Sequence, residues 1–199
     1  MNFADVKLAY VLSCIVLSLI ILSPTLAHVV SFPEGEKFSE LWILGPNRMA
    51  EGYPFNVSAS TPYPIYLGVG NHLGELAYYK VYVKLRNQSE PLPNSTAGVP
   101  SPLEPIHEFH VFLADNATWE REISFSFEQV SFNGNVCRIG GLMFDGHYAA
   151  VDKVAVWDAE RNGFFIQLFF ELWLYNADIS DFEFHNRYVN LWFNMSTVP

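Results

Sequence analysis

Apolar side chains recur at every second position through much of the chain. In Ala77–Arg86, Ala77, Tyr79, Val81, Val83 and Leu85 share one face, and Tyr78, Lys80, Tyr82, Lys84 and Arg86 share the other. A period of two is the mark of a half-buried strand. His107, Phe109, Val111 and Leu113 oppose Ile106, Glu108, His110 and Phe112, and Ile123, Phe125 and Phe127 oppose Glu122, Ser124 and Ser126. Shorter apolar runs at Leu41–Leu44, Ile65–Val69, Val136–Ile139 and Val151–Trp157 fit the same scheme. Asn133-Gly134, Asp145-Gly146 and Asn162-Gly163 supply turns between the runs. About eight or nine strands of this kind predict an all-β fold, an immunoglobulin-like antiparallel β-sandwich.

The run Gly163–Asn176, GFFIQLFFELWLYN, has two possible periods. As a strand it places Phe164, Ile166, Leu168, Phe170, Leu172 and Leu174 on one face. Phe165, Gln167, Phe169, Glu171, Trp173 and Tyr175 then occupy the other. A helix would bring Gln167 and Glu171 together. The run is shorter than the roughly 20 residues a membrane helix needs, and it carries Gln and Glu. Its aromatic content and the preceding turn favour a long central strand, buried on one face and largely covered on the other. Residues 87–105 differ: rich in proline and without an aromatic residue, they read as an exposed loop.

Leu8–Leu26 contains no charge and approaches the length that crosses a bilayer. One reading is an uncleaved anchor that meets the lipid bilayer through residues 8–26. The other is a signal peptide with an apolar region from Leu8 to about Leu22 and a cleavage site at Thr25-Leu26-Ala27. Both divide the chain into residues 1–30 and a domain over 31–199. Both place residues 28–199 outside the cytoplasm, on a single-pass membrane protein or, after cleavage, as a secreted one.

The 199-residue chain carries a net charge of −10, and only Asp5 and Lys7 among its charges precede residue 28. An acidic body repels phosphates, which argues against a nucleic-acid partner. Cys14 and Cys137 lie in different parts of the chain, and no intrachain disulfide is expected. Five Asn-x-Ser/Thr sequons, at Asn56, Asn87, Asn94, Asn116 and Asn194, exceed the about one or two that chance would place. They are candidate glycosylation sites on an external domain.

No constellation points firmly to a reaction, and neither a catalytic residue nor a cofactor is assigned. His107 and His110 are three apart on a strand and face opposite ways, which disfavours a shared metal. Asp158, Glu160 and Asn162 imitate half a calcium loop, but Phe169 stands where the closing carboxylate belongs; a hairpin turn fits better. The glycines of Gly68–Gly74 are not followed by a helix, so a turn explains them better than a phosphate cradle. Glu120, Glu122 and Glu128 could include a glycosidase pair, but carboxylates scattered on strand surfaces are usually solvated. Trp42, Trp119, Trp157, Trp173 and Trp192 suit either a sugar-binding face or, the preferred expectation, the core.

GEKFSELWILGPNRMAEGYP, Gly35–Pro54, resembles the opening of an uncharacterised archaeal group, domain-of-unknown-function family 1616. VGNHLG at Val69–Gly74, NATWEREISFSF at Asn116–Phe127, FFIQLFFELWLYN and FHNRYVNLWFNM are similar to later parts of that family. The resemblance implies a membrane protein with an extracytoplasmic β domain, often after several membrane helices, and no activity. With one such segment, this chain would be a stand-alone version. The expectation is a membrane-anchored surface glycoprotein with a non-catalytic binding or structural role in the cell envelope, towards a protein or glycan partner. Two alternatives remain. One is a filament subunit that adds HVVSFPEGEKF to a neighbour as a strand after cleavage; the other is a carbohydrate-binding protein or glycosidase of the envelope.

Overall fold

The structure, a computed structural model, describes residues 3–29 and 36–196, and in the first of these stretches the side chains of 6–8 and 10–20. The chain forms two compact units, Met1–Glu36 and Lys37–Pro199. In the first, an uninterrupted run without glycine gives one helix, α1, Phe3–Val29. The apolar side chains described on it, including Leu8, Leu12, Ile15, Leu17 and Ile20, are exposed. Among the described residues no helix is long and apolar enough to cross a membrane. Much of the segment expected to add to a neighbour, residues 28–38, lies outside the described residues, as does most of the boundary expected near residues 28–33.

The second unit is β throughout, as the alternation predicts. Its described residues form ten strands: β1 Phe38–Leu44, β2 Asn56–Val57, β3 Tyr63–His72, β4 Ala77–Asn87, β5 His107–Leu113, β6 Thr118–Asn133, β7 Val136–Phe144, β8 His147–Asp158, β9 Gly163–Asn176 and β10 Asp181–Met195. They make one sheet. β1, β3, β6, β7 and β8 follow one another in antiparallel ladders, and β8 passes to β9 through only Trp157–Phe164 and Asp158–Gly163. β9 then pairs with β4 and β10, β4 with β5, and β10 with β2. The β10–β2 ladder is parallel, so the sheet is mixed where a wholly antiparallel one was expected.

The sheet curls so that its two halves share one core. Phe125 of β6 meets Phe193 of β10 with ring centroids 5.0 Å apart, and Phe144 of β7 meets Phe170 of β9 at 6.3 Å. The expected inward sets are buried: Ala77, Tyr79, Val81, Val83 and Leu85 on β4, Ile123, Phe125 and Phe127 on β6, and Phe164 to Leu172 at even positions on β9. Each such aliphatic or aromatic side chain contributes about 1.5–3 kcal/mol through burial.

β9 is the strand that decides the architecture. It is central, and Gly163 to Leu172 are buried on both faces. The core expectation for tryptophan is met only at the core's edge, where Trp119 packs beside Phe109. None of the five belongs to the buried core; Trp42, Trp119, Trp173 and Trp192 are partly buried and Trp157 is exposed. Trp42, Trp173 and Trp192 sit at strand positions that face outward, Trp119 and Trp157 border the core beside Phe109 and Phe164, and phenylalanine fills the interior.

Where β1 and β10 approach, a polar chain seals the side of the fold. The register shifts between Phe184 and Arg187, and His185 reaches inward from this irregularity. Its Nε2 lies 3.0 Å from Ser39 Oγ, which lies 2.7 Å from Tyr79 Oη, and Tyr79 Oη donates to Asn71 Oδ1 at 3.1 Å. Ser39 is fully buried, so this serine and histidine hold strands together and present no nucleophile. Burial, and then repulsion from Arg187, lower the His185 pKa. The unfolded chain therefore binds a proton more readily than the folded one. Stability should be full above the ordinary histidine value of about 6.5 and fall as pH drops below it. Thermal melts between pH 7.5 and 5 should show that loss, and His185→Gln should make it shallower; an unchanged slope in the variant would contradict this role.

Candidate functional site

The outer face of β1, β3 and β6 is a grid set by register. Trp42 pairs with Gly68, and Gly68 with Glu120; Leu44 pairs with Tyr66, and Tyr66 with Glu122. Gly68 lies within β3, not in the turn expected from the glycine spacing. A Cβ there would collide with the Trp42 ring, so the indole lies across bare backbone. A glycine inside a strand commonly marks such a close approach. Only Gly74 serves the turn, at φ 81°.

Trp42, Arg48, Tyr66, Glu120 and Glu122 on this face are each held by a neighbour. Trp42 Nε1 donates to Glu120 Oε2 at 3.3 Å, and Arg48 Nε lies 3.4 Å from Glu120 Oε1. The Arg48 guanidinium stands 4.9 Å from the Tyr66 ring centre. Tyr66 Oη donates to Glu122 Oε2 at 2.8 Å, and this bond holds the hydroxyl pKa above its ordinary value. Farther along β6, Glu128 accepts from Ser60 and Ser126 at 2.7 and 2.6 Å. The three carboxylates singled out in the sequence thus share one outer face, each with its own partners.

A second polar cluster lies on the outer face of β4 and β9, the face of β9 expected to be largely covered. Lys84 Nζ lies 2.9 Å from Glu171 Oε2, and the two side chains are 4% and 0% exposed. Residues 87–105 supply the cover. Lys84 Nζ donates to Ser101 O at 2.7 Å, and Ser101 N donates to Glu171 Oε1 at 2.8 Å. The proline-rich loop is therefore pinned at Ser101, with Pro93 and Ser101 buried. Trp173 Nε1 adds a bond to Glu171 at 3.2 Å. The neighbouring register pair Arg86 and Gln167 is buried as well, against Trp192.

The other candidates separate. His107 lies beside Phe144 and His147, while His110 faces Tyr78 and Glu108. Among the described residues no group of three His, Cys, Asp or Glu side chains is placed to hold a metal ion. Asp158 accepts from the amides of Glu160 and Arg161 and pairs with the Arg161 side chain, as a hairpin turn requires. Cys14 and Cys137 are free, and burial pushes the Cys137 thiol up to about 11.

The five sequon asparagines have different surroundings. Asn56, Asn94 and Asn116 are exposed; Asn94 lies in a bridged turn and Asn116 at a turn with φ 59°. Asn87 is absorbed into local structure: its Oδ1 accepts from Ser89 and Glu90, and its Nδ2 donates to Val154 O at 3.1 Å. Asn194 is partly buried and paired with Asn56, its Nδ2 donating to Asn56 Oδ1 at 3.0 Å.

The fold and this face define a small curled β domain with an aromatic and carboxylate-lined outer surface. The chain belongs to the family described as domain of unknown function 1616 (DUF1616), whose model matches residues 33–163. β9 after its first residue, and all of β10, lie beyond that match, although β9 centres the sheet. No curated protein matches the chain. Among solved structures, a chain of the complex between zinc 2-glycoprotein and prolactin inducible protein from human seminal plasma aligns at TM-score 0.38 and 10% identity, over 81% of this chain and 98% of that one. A β-glucosidase from Listeria innocua in complex with gluconolactone aligns at TM-score 0.29 and 9% identity, over 79% of this chain and 16% of that one. Neither likeness is close enough to carry an argument.

Proposed function

We propose that the protein is a membrane-tethered surface glycoprotein whose β domain, arranged as an immunoglobulin-like sandwich, has a non-catalytic binding role outside the cytoplasm. The observation that carries the tether is the first helix. Leu8–Leu26 is uncharged, and the described apolar side chains along α1 are exposed instead of packed in a core. Two of its hydroxyls bond back to the helix: Ser13 Oγ donates to Tyr10 O at 2.9 Å and Ser18 Oγ to Cys14 O at 2.8 Å. Such back-bonding suits a helix without water around it. The sequons support an external domain, with Asn56, Asn94 and Asn116 as the proposed glycan carriers and Asn87 and Asn194 unmodified.

The test is membrane fractionation of cells expressing the full chain, followed by N-terminal sequencing and intact mass. The expected result is a chain that begins at or near Met1, resists carbonate extraction and carries glycan mass lost on changing Asn56, Asn94 and Asn116 to Gln. A soluble chain beginning near His28 would overturn the tether in favour of secretion. An unglycosylated chain, protected from external protease in intact cells, would overturn the placement.

A further inference from the structure

We infer that the outer face of β1, β3 and β6 is a binding site for a neutral saccharide, with Trp42 as the stacking platform and Glu120 and Arg48 as the hydroxyl ligands. This rests on the binding role proposed above and names the ligand class.

The argument begins with where the indole is. A tryptophan on a sheet's solvent side would ordinarily bend over its neighbours' side chains. Here the facing residue is Gly68, and the ring lies across its backbone. The indole is thereby laid down on one side and remains partly exposed. Its N–H is tied to Glu120, which fixes the ring's orientation. An immobilised, accessible ring loses little freedom when a ligand lands on it. Its π face carries negative partial charge, which attracts the weakly positive C–H faces of a pyranose.

The polar groups beside the ring match sugar hydroxyls. A hydroxyl both donates and accepts. Glu120 offers carboxylate acceptors and Arg48 offers guanidinium donors, side by side across 3.4 Å. That combination suits two adjacent hydroxyls on one ring. Binding sites generally pair an aromatic surface with a few such fixed polar groups.

Charge selects the class. Glu40, Glu120 and Glu122 outnumber Arg48 on this face, so phosphate, sulfate or uronate groups are repelled. A cationic ligand is also disfavoured, because its place is taken. Arg48 already pairs with Glu120 and stands over the Tyr66 ring, and His72 lies 3.5 Å from Glu40. What remains is an uncharged ligand with apolar faces and many hydroxyls.

The test uses the full chain in lipid nanodiscs, labelled with 5-fluorotryptophan and titrated with soluble neutral oligosaccharides of glucose, mannose and galactose. The Trp42 fluorine signal, assigned by Trp42→Phe, should shift and saturate with at least one series, with a dissociation constant on the order of 1 mM. Glu120→Gln should weaken that binding about tenfold, and Trp42→Ala should abolish it. Trp42 lies outside the core, so the melting curve of Trp42→Ala reports whether the fold survives, and Glu120→Gln tests the site without removing the ring. No shift with any series at about 10 mM would overturn the inference. So would undiminished binding in Trp42→Ala, or a Trp42 response to tetramethylammonium or a lysine peptide without one to sugars. The two readings fail separately. A tethered chain silent to sugars sinks this inference alone, and a sugar-binding chain released from membranes sinks only the tether.

Discussion

Glu171→Gln is expected to destabilise the β domain by about 3–5 kcal/mol, because it leaves Lys84 buried without its counter-charge. Both side chains are almost wholly inaccessible, and water cannot replace the lost partner. Lys84→Met should cost a similar amount by stranding the carboxylate. The double variant Lys84→Met/Glu171→Gln should recover most of the loss, since glutamine can still accept from Ser101 N and no charge is left unpaired. Urea unfolding followed by circular dichroism measures all three. The single variants should also open residues 88–100 to protease, because Glu171 and Lys84 hold that segment at Ser101. A change below about 1 kcal/mol in Glu171→Gln would mean that the pair is solvated.

Phe170→Ala should be as damaging, at about 3–5 kcal/mol. Phe170 is fully buried on the inner face of β9, across from Phe144. Truncation leaves a cavity in the middle of the core, and the flanking strands β4 and β10 hold the backbone too firmly to close it. This is a large part of the 5–15 kcal/mol that holds a typical domain folded. Phe112→Ala is the control: the same change at a residue 65% exposed, whose ring stacks on Tyr78, should cost no more than about 1.5 kcal/mol. Equal effects at the two positions would contradict the assignment of inside and outside.

The inward faces were legible in the sequence because alternation reports them directly. Val81, Val83, Phe125, Phe127 and Leu168 all point where the period of two places them. β9 was legible through its aromatic content and the Asn162-Gly163 turn, which outweighed a competing helical spacing. The cover over Lys84 and Arg86 was not. Those residues fall on the polar face by pattern, and it is the return of residues 87–105 over Lys84 and the Trp192 ring beside Arg86 that cover them. A strand pattern records which way a side chain points, not what arrives from elsewhere to cover it.

The binding face was half legible. Trp42 and Glu120 were singled out separately, as a core aromatic and as one of three scattered carboxylates. They become neighbours only through the registers of β1 with β3 and β3 with β6. One signal pointed there: Gly68 and Gly70 sit at alternate positions inside an apolar run, and a strand gives up two side chains on one face where something else must approach. The tryptophans were misplaced for a related reason. Phenylalanine fills this core, Trp119 and Trp157 only border it, and Trp42 and Trp173 turn outward to the carboxylates that accept their N–H groups.

Hydrogen exchange across Gly163–Asn176, measured on the full chain in detergent and again in lipid nanodiscs, bears most directly on this architecture. If the segment is the central strand of an aqueous β domain, the amides of Phe165–Leu172 should be among the slowest in the protein. They should be equally slow in both media and lose protection together with those of Val81–Arg86 on β4. Protection of Phe164–Tyr175 that appears only with lipid, or is lost independently of β4, would contradict it.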